Sequence, residues 1–196
     1  MRELKLKSGK ALVIVAHPDD ETIWMGGAIR RFPELNWSIF SLCRASDVDR
    51  APKFRNVCSI YGAISIIADL EDEGVLSVAG SVPIIQKVIK NAIGRERYDY
   101  LFTHDSNGEY GHPRHIGINK AIAGILENGE LECGQAFWFA YKSSRNGKVF
   151  NDKAAKFFIR MNKNEHLIKR KIINEIYGFK RDSFEYKSAL AVETFK

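Results

Sequence analysis

Two short stretches of the chain hold side chains that can bind a metal and move protons. The first is Ala16-His17-Pro18-Asp19-Asp20-Glu21. The second runs Thr103-His104-Asp105-Ser106-Asn107-Gly108-Glu109-Tyr110-Gly111-His112-Pro113-Arg114-His115. His17 and Asp20 are three apart across a turn containing Pro18, so their side chains can converge. His112 and His115 are three apart at the start of a helix, where such positions share a face. Two imidazole nitrogens and one carboxylate oxygen make a catalytic zinc set, and three protein ligands leave a position open for water. His17, Asp20, His112 and His115 are all candidates, with Asp19 as a fifth polar group. If three of them hold a metal, the others are free to move protons. Either cluster alone is a weak signal: acidic runs are common at helix N-termini, and His-x-x-His is a short pattern. Their joint occurrence after two buried strands is what points to a site. Gly108 and Gly111 give the second cluster a flexible backbone of the kind active-site loops need. His104 and His166 read as hydrogen-bonded core histidines.

The elements that position these clusters follow from hydrophobic patterning. Ala11–Ala16 (ALVIVA), Trp37–Leu42, Ile64–Leu70, Tyr98–Thr103 and Ala136–Tyr141 are short apolar runs that read as strands buried on both faces. Between them, Asp19–Phe32, Lys53–Tyr61, Val82–Ile93 and Pro113–Leu126 read as helices, with Pro113 in a first turn where proline is favoured. This alternation predicts an α/β class: a Rossmann-like, doubly wound, mostly parallel sheet with helices on both faces. In such sheets ligands bind beyond the carboxyl ends of the strands, and strands one and four are commonly neighbours across the switch point. The two clusters follow those two strands. Val149–Asn151 and Lys156–Met161 read as short strands and Glu165–Tyr177 as a helix, together forming extra edge structure on one domain spanning residues 1–196.

Composition removes other classes. The 196 residues are 45% hydrophobic and 28% charged, ordinary for one globular domain. The net charge of +6 owes much to Lys163, Lys169, Arg170, Lys171, Lys180 and Arg181. These interleave with Leu167, Ile168, Ile172 and Ile176 as the solvated face of an amphipathic helix, and no nucleic-acid motif accompanies them. Cys43, Cys58 and Cys133 lack metal or disulfide spacing and read as buried thiols. No apolar stretch approaches the ~20 residues of a membrane span, and the N-terminus has no cleavage site, so the expected location is the cytoplasm. No G-x-G-x-x-G follows the first strand, no P-loop is present, and carboxylates fill the slot a pyrophosphate would need. No G-x-S-x-G occurs and no cysteine lies in either cluster, so nucleophilic catalysis lacks support.

AHPDDE after the first strand and THDSNGEYGHPRH after the fourth resemble the two signature motifs of the LmbE-like (PIG-L) de-N-acetylases, the second being close to G-E-x-G-H-x-x-H. Gly26-Gly27, Tyr177 and the tail Glu193-Thr194-Phe195 look like weaker features of the same family. The resemblance implies a metal-dependent hydrolase with one divalent metal per chain, usually Zn2+ with Fe2+ as an alternative. It implies removal of an acetyl group from an N-acetylglucosamine-type sugar or conjugate, the runner-up readings being a non-sugar amidase or esterase and a non-catalytic binding module. Carried over by position, His17, Asp20 and His115 would be the ligands, Asp19 the general base, and protonated His112 the acid or oxyanion partner. Asp105 is the candidate to orient His112. Arg50 is the match for a substrate-binding arginine, with Arg55 as rival and Lys53 standing where the family usually has Glu. Asp72 is the match for a carboxylate that meets substrate hydroxyls, with Asp69 as rival. The implied partner is a small N-acetylated molecule, with no nucleic acid, no membrane insertion, and a homo-oligomer left open.

Overall fold

Along β2 (Lys10–Val15) successive side chains go to opposite faces, as the two-residue period of a strand requires. Ala11, Val13 and Val15 join one core, while Leu12, Ile14 and the following Ala16 join the other. A strand buried on both faces must lie inside a sheet covered on both sides. The computed structural model, which describes residues 1–94 and 96–196, has that arrangement. After β1 (Arg2–Glu3) and β2 come α1 (Asp20–Arg31), β3 (Asn36–Ser41), α2 (Arg50–Ile60), β4 (Ile64–Ile67), α3 (Val78–Ile93) and β5 (Tyr98–Thr103). A single helical turn α4 (Gly108–Gly111), α5 (Pro113–Glu127) and β6 (Cys133–Trp138) complete this part. The five strands lie in the order β4-β3-β2-β5-β6, all parallel. The chain winds outward from β2 to β4, then crosses back through α3 to β5 on the other side of β2. This is the expected Rossmann-like winding, with its switch point between β2 and β5.

The two faces are closed by different helices. Ile85, Ile89 and Ile93 of α3 and Ile118, Ile122 and Ile125 of α5 pack on one face. Ile23, Trp24 and Ile29 of α1 and Phe54 and Val57 of α2 pack on the other. No helix among the described residues is long and apolar enough to cross a membrane.

The last third is more elaborate than an edge extension. The run expected as one fifth strand stops at Trp138, and Tyr141 begins a hairpin of β7 (Tyr141–Ser143) with β8 (Val149–Asn151). Beyond it come β9 (Phe157–Arg160), α6 (Lys163–Lys171), a π-helical turn Ile172–Ile176, α7 (Phe184–Ser188) and β10 (Val192–Phe195). β9 pairs with β1 in parallel and with β10 antiparallel, making a second, three-stranded sheet. Backbone hydrogen bonds between Trp138 and Lys196 attach β10 to the end of β6. Lys169, expected on a solvated helix face, is fully buried. Its ammonium lies 2.7 Å from the buried carboxylate of Glu193, which offsets the cost of taking the charge out of water. Cys43, Cys58 and Cys133 are free thiols, the first two buried.

Candidate metal centre

The turn after β2 brings His17, Asp19 and Asp20 to the switch point. Asp20 starts α1, and its Oδ1 accepts a hydrogen bond from Trp24 Nε1 at 2.8 Å, one helical turn on. Its Oδ2 accepts the His17 backbone N–H at 2.9 Å. That same oxygen lies 3.3 Å from His17 Nδ1 and 3.4 Å from His115 Nε2. Thus His17 and His115, which come from opposite sides of the switch point, each approach the same carboxylate oxygen of Asp20. His115 Nε2 is buried and has no hydrogen-bond partner. A buried nitrogen without a partner is costly, and a cation among these three groups would satisfy it. Two nitrogens and a carboxylate oxygen are a donor set suited to zinc, so the residues fit the implied metal.

Among the described residues, three sets of ligand atoms lie within 4.8 Å of one another: His17 with His112 and His115, Asp20 with His104 and His115, and His17 with Cys43 and Asp72. His112 is the N-cap of α5 and its Nδ1 accepts the Arg114 backbone N–H at 3.3 Å. Its ring lies 4.9 Å from that of His17 and 4.7 Å from that of His115, centroid to centroid, leaving Nε2 as its free nitrogen. His104 Nε2 accepts the Ala16 backbone N–H at 3.0 Å, so its lone pair is already used.

The electrostatics divide the groups. Burial pulls His17 and His115 down, but hydrogen bonds and negative charge outweigh it. Asp20 and Asp72 raise His17 to about 10, and Asp20 and Glu109 raise His115 to about 9. Burial pushes Asp20 up, yet His115, His17 and His104 bring its carboxyl well below the usual range. Burial and the like charge of Asp20 drive Asp19 well above it. His112 is pulled down to about 4 by burial and by the neighbouring His115 and His17. That direction favours the neutral ring, whereas the resemblance implied a protonated one.

Asp19 has a backbone φ of 128°, a strained value for a residue with a side chain. Its N–H donates to Glu21 Oε2 at 3.0 Å, and Glu21 in turn accepts from Tyr177 Oη at 2.8 Å. Its Oδ2 accepts from Arg50 at 2.8 Å, while the guanidinium of Arg50 lies 4.3 Å over the Phe179 ring. Both residues expected to meet substrate therefore also hold catalytic candidates: Arg50 pairs with Asp19, and Asp72 Oδ2 lies 2.7 Å from His17 Nε2. Their rivals stand elsewhere. Arg55 is exposed on α2, and Asp69 is exposed and accepts the Ser46 N–H. Asp105 does not orient His112; its carboxylate pairs with Lys196. Lys53 pairs with Asp49.

A cavity of about 340 Å³ opens over these groups. His17, Asp19, Asp20, Asp72 and Arg50 line it, with an apolar side of Ile23, Trp24, Tyr110 and Phe184. Arg44, 3.5 Å from Asp72, is a lining residue that the sequence reading missed. Glu109 and His104, behind His115, were missed as well. Trp24 could have been found from its position four residues after Asp20 on a helix.

The model of the GlcNAc-PI de-N-acetylase (PIG-L) family matches residues 12–126, which include both clusters. Among curated proteins, an uncharacterized protein of Acanthamoeba polyphaga mimivirus is 25% identical over 130 residues, 58% of this chain. A Dictyostelium discoideum protein named a probable N-acetylglucosaminyl-phosphatidylinositol de-N-acetylase is 22% identical over 129 residues, 61% of this chain. The chain spans about half the length of these relatives, 56% and 50%. Among solved structures, a conserved protein of Thermus thermophilus superposes with a TM-score of 0.63 at 16% identity, covering 94% of this chain and 92% of that one. The N,N'-diacetylchitobiose deacetylase of Pyrococcus horikoshii gives 0.54 at 15% identity, covering 92% and 70%. The 4-carboxy-2-hydroxymuconate hydratase of Pseudomonas putida gives 0.57 at 16% identity, covering 94% and 83%. At such identities these structures share the fold.

Proposed function

The chain belongs to the PIG-L (LmbE-like) de-N-acetylase family, and on that premise we propose that it is a metal-dependent N-deacetylase. Its substrate is an N-acetylglucosamine-type sugar or conjugate, cleaved to the free amine and acetate. The observation that carries this reading is the convergence of His17 Nδ1 and His115 Nε2 on Asp20 Oδ2, with His115 Nε2 buried and unpartnered. These three residues would hold one divalent ion per chain, zinc in the first instance and Fe2+ as the alternative. Such an ion, when bound, acidifies water and polarises the amide carbonyl.

Asp19 is placed to accept the proton of the attacking water, being next to a ligand without being one. Burial and the charge of Asp20 favour its protonated form, so the same carboxyl can hold that proton and deliver it to the departing amine nitrogen. Arg50 fixes the orientation of the carboxylate. His112 acts as a neutral donor. Its Nδ1 is engaged by the Arg114 N–H, which leaves the proton on Nε2, available to the oxyanion of the tetrahedral intermediate. Loss of one such donor typically costs about 3–4 kcal/mol of transition-state stabilisation. The polar side of the cavity, with Arg44, Asp47 and Asp72, suits sugar hydroxyls. Its apolar side, where Tyr110 and Phe184 meet edge to face at 4.6 Å, also supports a second reading: an amide carried on a non-sugar group.

The test is acetate release by zinc-loaded protein from a panel of N-acetylated amino sugars and N-acetylated aromatic amines. Release from the sugars supports the first reading, and release from the amines alone supports the second. A zinc-loaded protein that frees acetate from neither group would overturn both.

A further inference from the structure

His115 serves as a ligand only if Nε2, and not Nδ1, carries the free lone pair, so something must hold its proton on Nδ1. A backbone N–H can only donate. The N–H of Ala16 points at His104 Nε2 from 3.0 Å, so that nitrogen accepts, and the neutral His104 ring carries its hydrogen on Nδ1. His104 Nδ1 lies 2.8 Å from Glu109 Oε2 and donates to it. The same oxygen is 2.6 Å from His115 Nδ1. An oxygen that already accepts from His104 as a carboxylate offers His115 only a second acceptor, so His115 also presents N–H from Nδ1. The other carboxylate oxygen is occupied as well, accepting the Asp105 N–H at 2.9 Å. The two imidazoles stack at 3.7 Å between centroids, 23° from parallel. His104, Glu109 and His115 are all buried. The turn that delivers Glu109 is strained, with φ of 57° at Glu109 itself.

We infer that Glu109 and His104 are a positioning pair for the metal centre. Starting from the fixed Ala16 N–H, they relay hydrogen-bond direction to His115 and leave its Nε2 bare toward the ion. This rests on the reading of His115 as a ligand. Glu109 acts on the ion through His115, as carboxylates behind ligating histidines do. His104 acts one step further back, giving Glu109 a donor that also fixes where its carboxylate points. His104 is excluded as a ligand by the same chain, because its lone pair is spent on Ala16.

Two measurements test it. The first is the nitrogen-15 spectrum of the imidazoles of the wild-type chain without added metal, in which His104 should show the Nδ1–H tautomer. His104 protonated on Nε2 would overturn the inference, and this readout needs neither a variant nor a metal. The second is zinc affinity by competition with a chromophoric chelator, on variants shown to be folded by circular dichroism. Glu109→Gln should bind zinc about 10–100-fold more weakly. His104→Phe, which removes the donor to Glu109, should weaken it in the same direction. His104→Asn should recover most of the affinity, because its amide N–H reaches the place of Nδ1. Wild-type affinity in folded Glu109→Gln, or Asn no better than Phe, would overturn the inference. A wild-type chain that binds no zinc would instead overturn the ligand reading, with the His104 tautomer still deciding the direction of the relay.

Discussion

At the scale of the residue, Asp19 is held in place by several independent contacts. Its strained backbone is supported by Glu21 and its carboxylate by Arg50. Such strain persists only where the surroundings over-determine it. Asp19→Asn keeps the shape and the Arg50 contact but cannot take a proton. It should keep the metal and lose about 10²–10⁴-fold in turnover; acetate release beside zinc content checks this, and a near-wild-type rate would remove Asp19 as the base. The two histidines of the second cluster separate in another way. His115→Ala deletes a ligand and should lose zinc. His112→Ala deletes a group that meets only the developing oxyanion, so it should keep zinc and lower the rate. Elemental analysis of both variants decides it, and equal zinc loss would make both of them ligands. Residue type and spacing marked His17, Asp20, His112 and His115 as candidates, and only the family resemblance narrowed them to His17, Asp20 and His115. The Glu109–His104 pair was not legible in the sequence. Its logic begins with a backbone N–H 88 positions away in the chain, and a buried histidine reads as core until its partners are known.

At the scale of the element, α1 is two helical pieces. Met25 breaks the helical conformation (φ −148°, ψ 16°), which frees backbone N–H groups just after it. The Glu193 carboxylate accepts two of them, Gly27 N–H and Ala28 N–H, each at 2.7 Å. It thereby acts as an N-terminal cap delivered from another element. A side chain on Gly27 would meet Met161 Sδ at 2.5 Å, so the packing of the Met161 side chain, just after β9, against α1 accounts for the glycine. Asp20 and Trp24 sit on the first piece. Glu193→Ala leaves Lys169 charged and buried and two N–H groups open. It should destabilise the fold by about 3–5 kcal/mol, read as a lower denaturant midpoint. A loss below about 1 kcal/mol would show that water replaces the carboxylate. The apolar positions of Asp19–Phe32 fit one helix, weakened by Gly26-Gly27. The break itself was hidden, because the cap comes from β10. The fifth strand misled for a related reason: AFWFAY is apolar throughout, so nothing in its period marks where pairing stops at Trp138.

At the scale of the whole molecule, the parallel sheet and the pairing of β2 with β5 were expected from alternating apolar runs and helices, since buried parallel strands announce themselves locally. The three-stranded sheet was not. β1 has two residues and β10 reads as a polar tail, and both are strands only because β9 lies between them. The join between the two sheets is partly ionic. Lys196 Nζ, just after β10, lies 3.0 Å from Asp152 Oδ2 and also pairs with Asp105 at the end of β5. Asp152 Oδ1 takes the Ala154 N–H at 3.0 Å and lies 3.2 Å from Lys142 Nζ. Burial would raise the Asp152 carboxyl, but the Ala154 N–H and the two ammonium groups bring it from 3.8 down to about 2. A carboxyl whose folded pKa is depressed contributes stability that is present above its unfolded pKa and lost as pH falls through the folded one. The contribution of Asp152 should therefore be complete above about pH 5 and fade between about pH 4 and pH 2. Other carboxyls titrate in that window, so the useful quantity is the stability gap between wild type and Asp152→Asn, which removes only this group. That gap, taken from denaturant midpoints, should favour wild type at about pH 6 and narrow steadily toward pH 2. A gap that stays constant over the whole range would mean that the charge of Asp152 contributes nothing, and that the two sheets are held together by the Phe139–Phe195 bridge and its apolar surroundings.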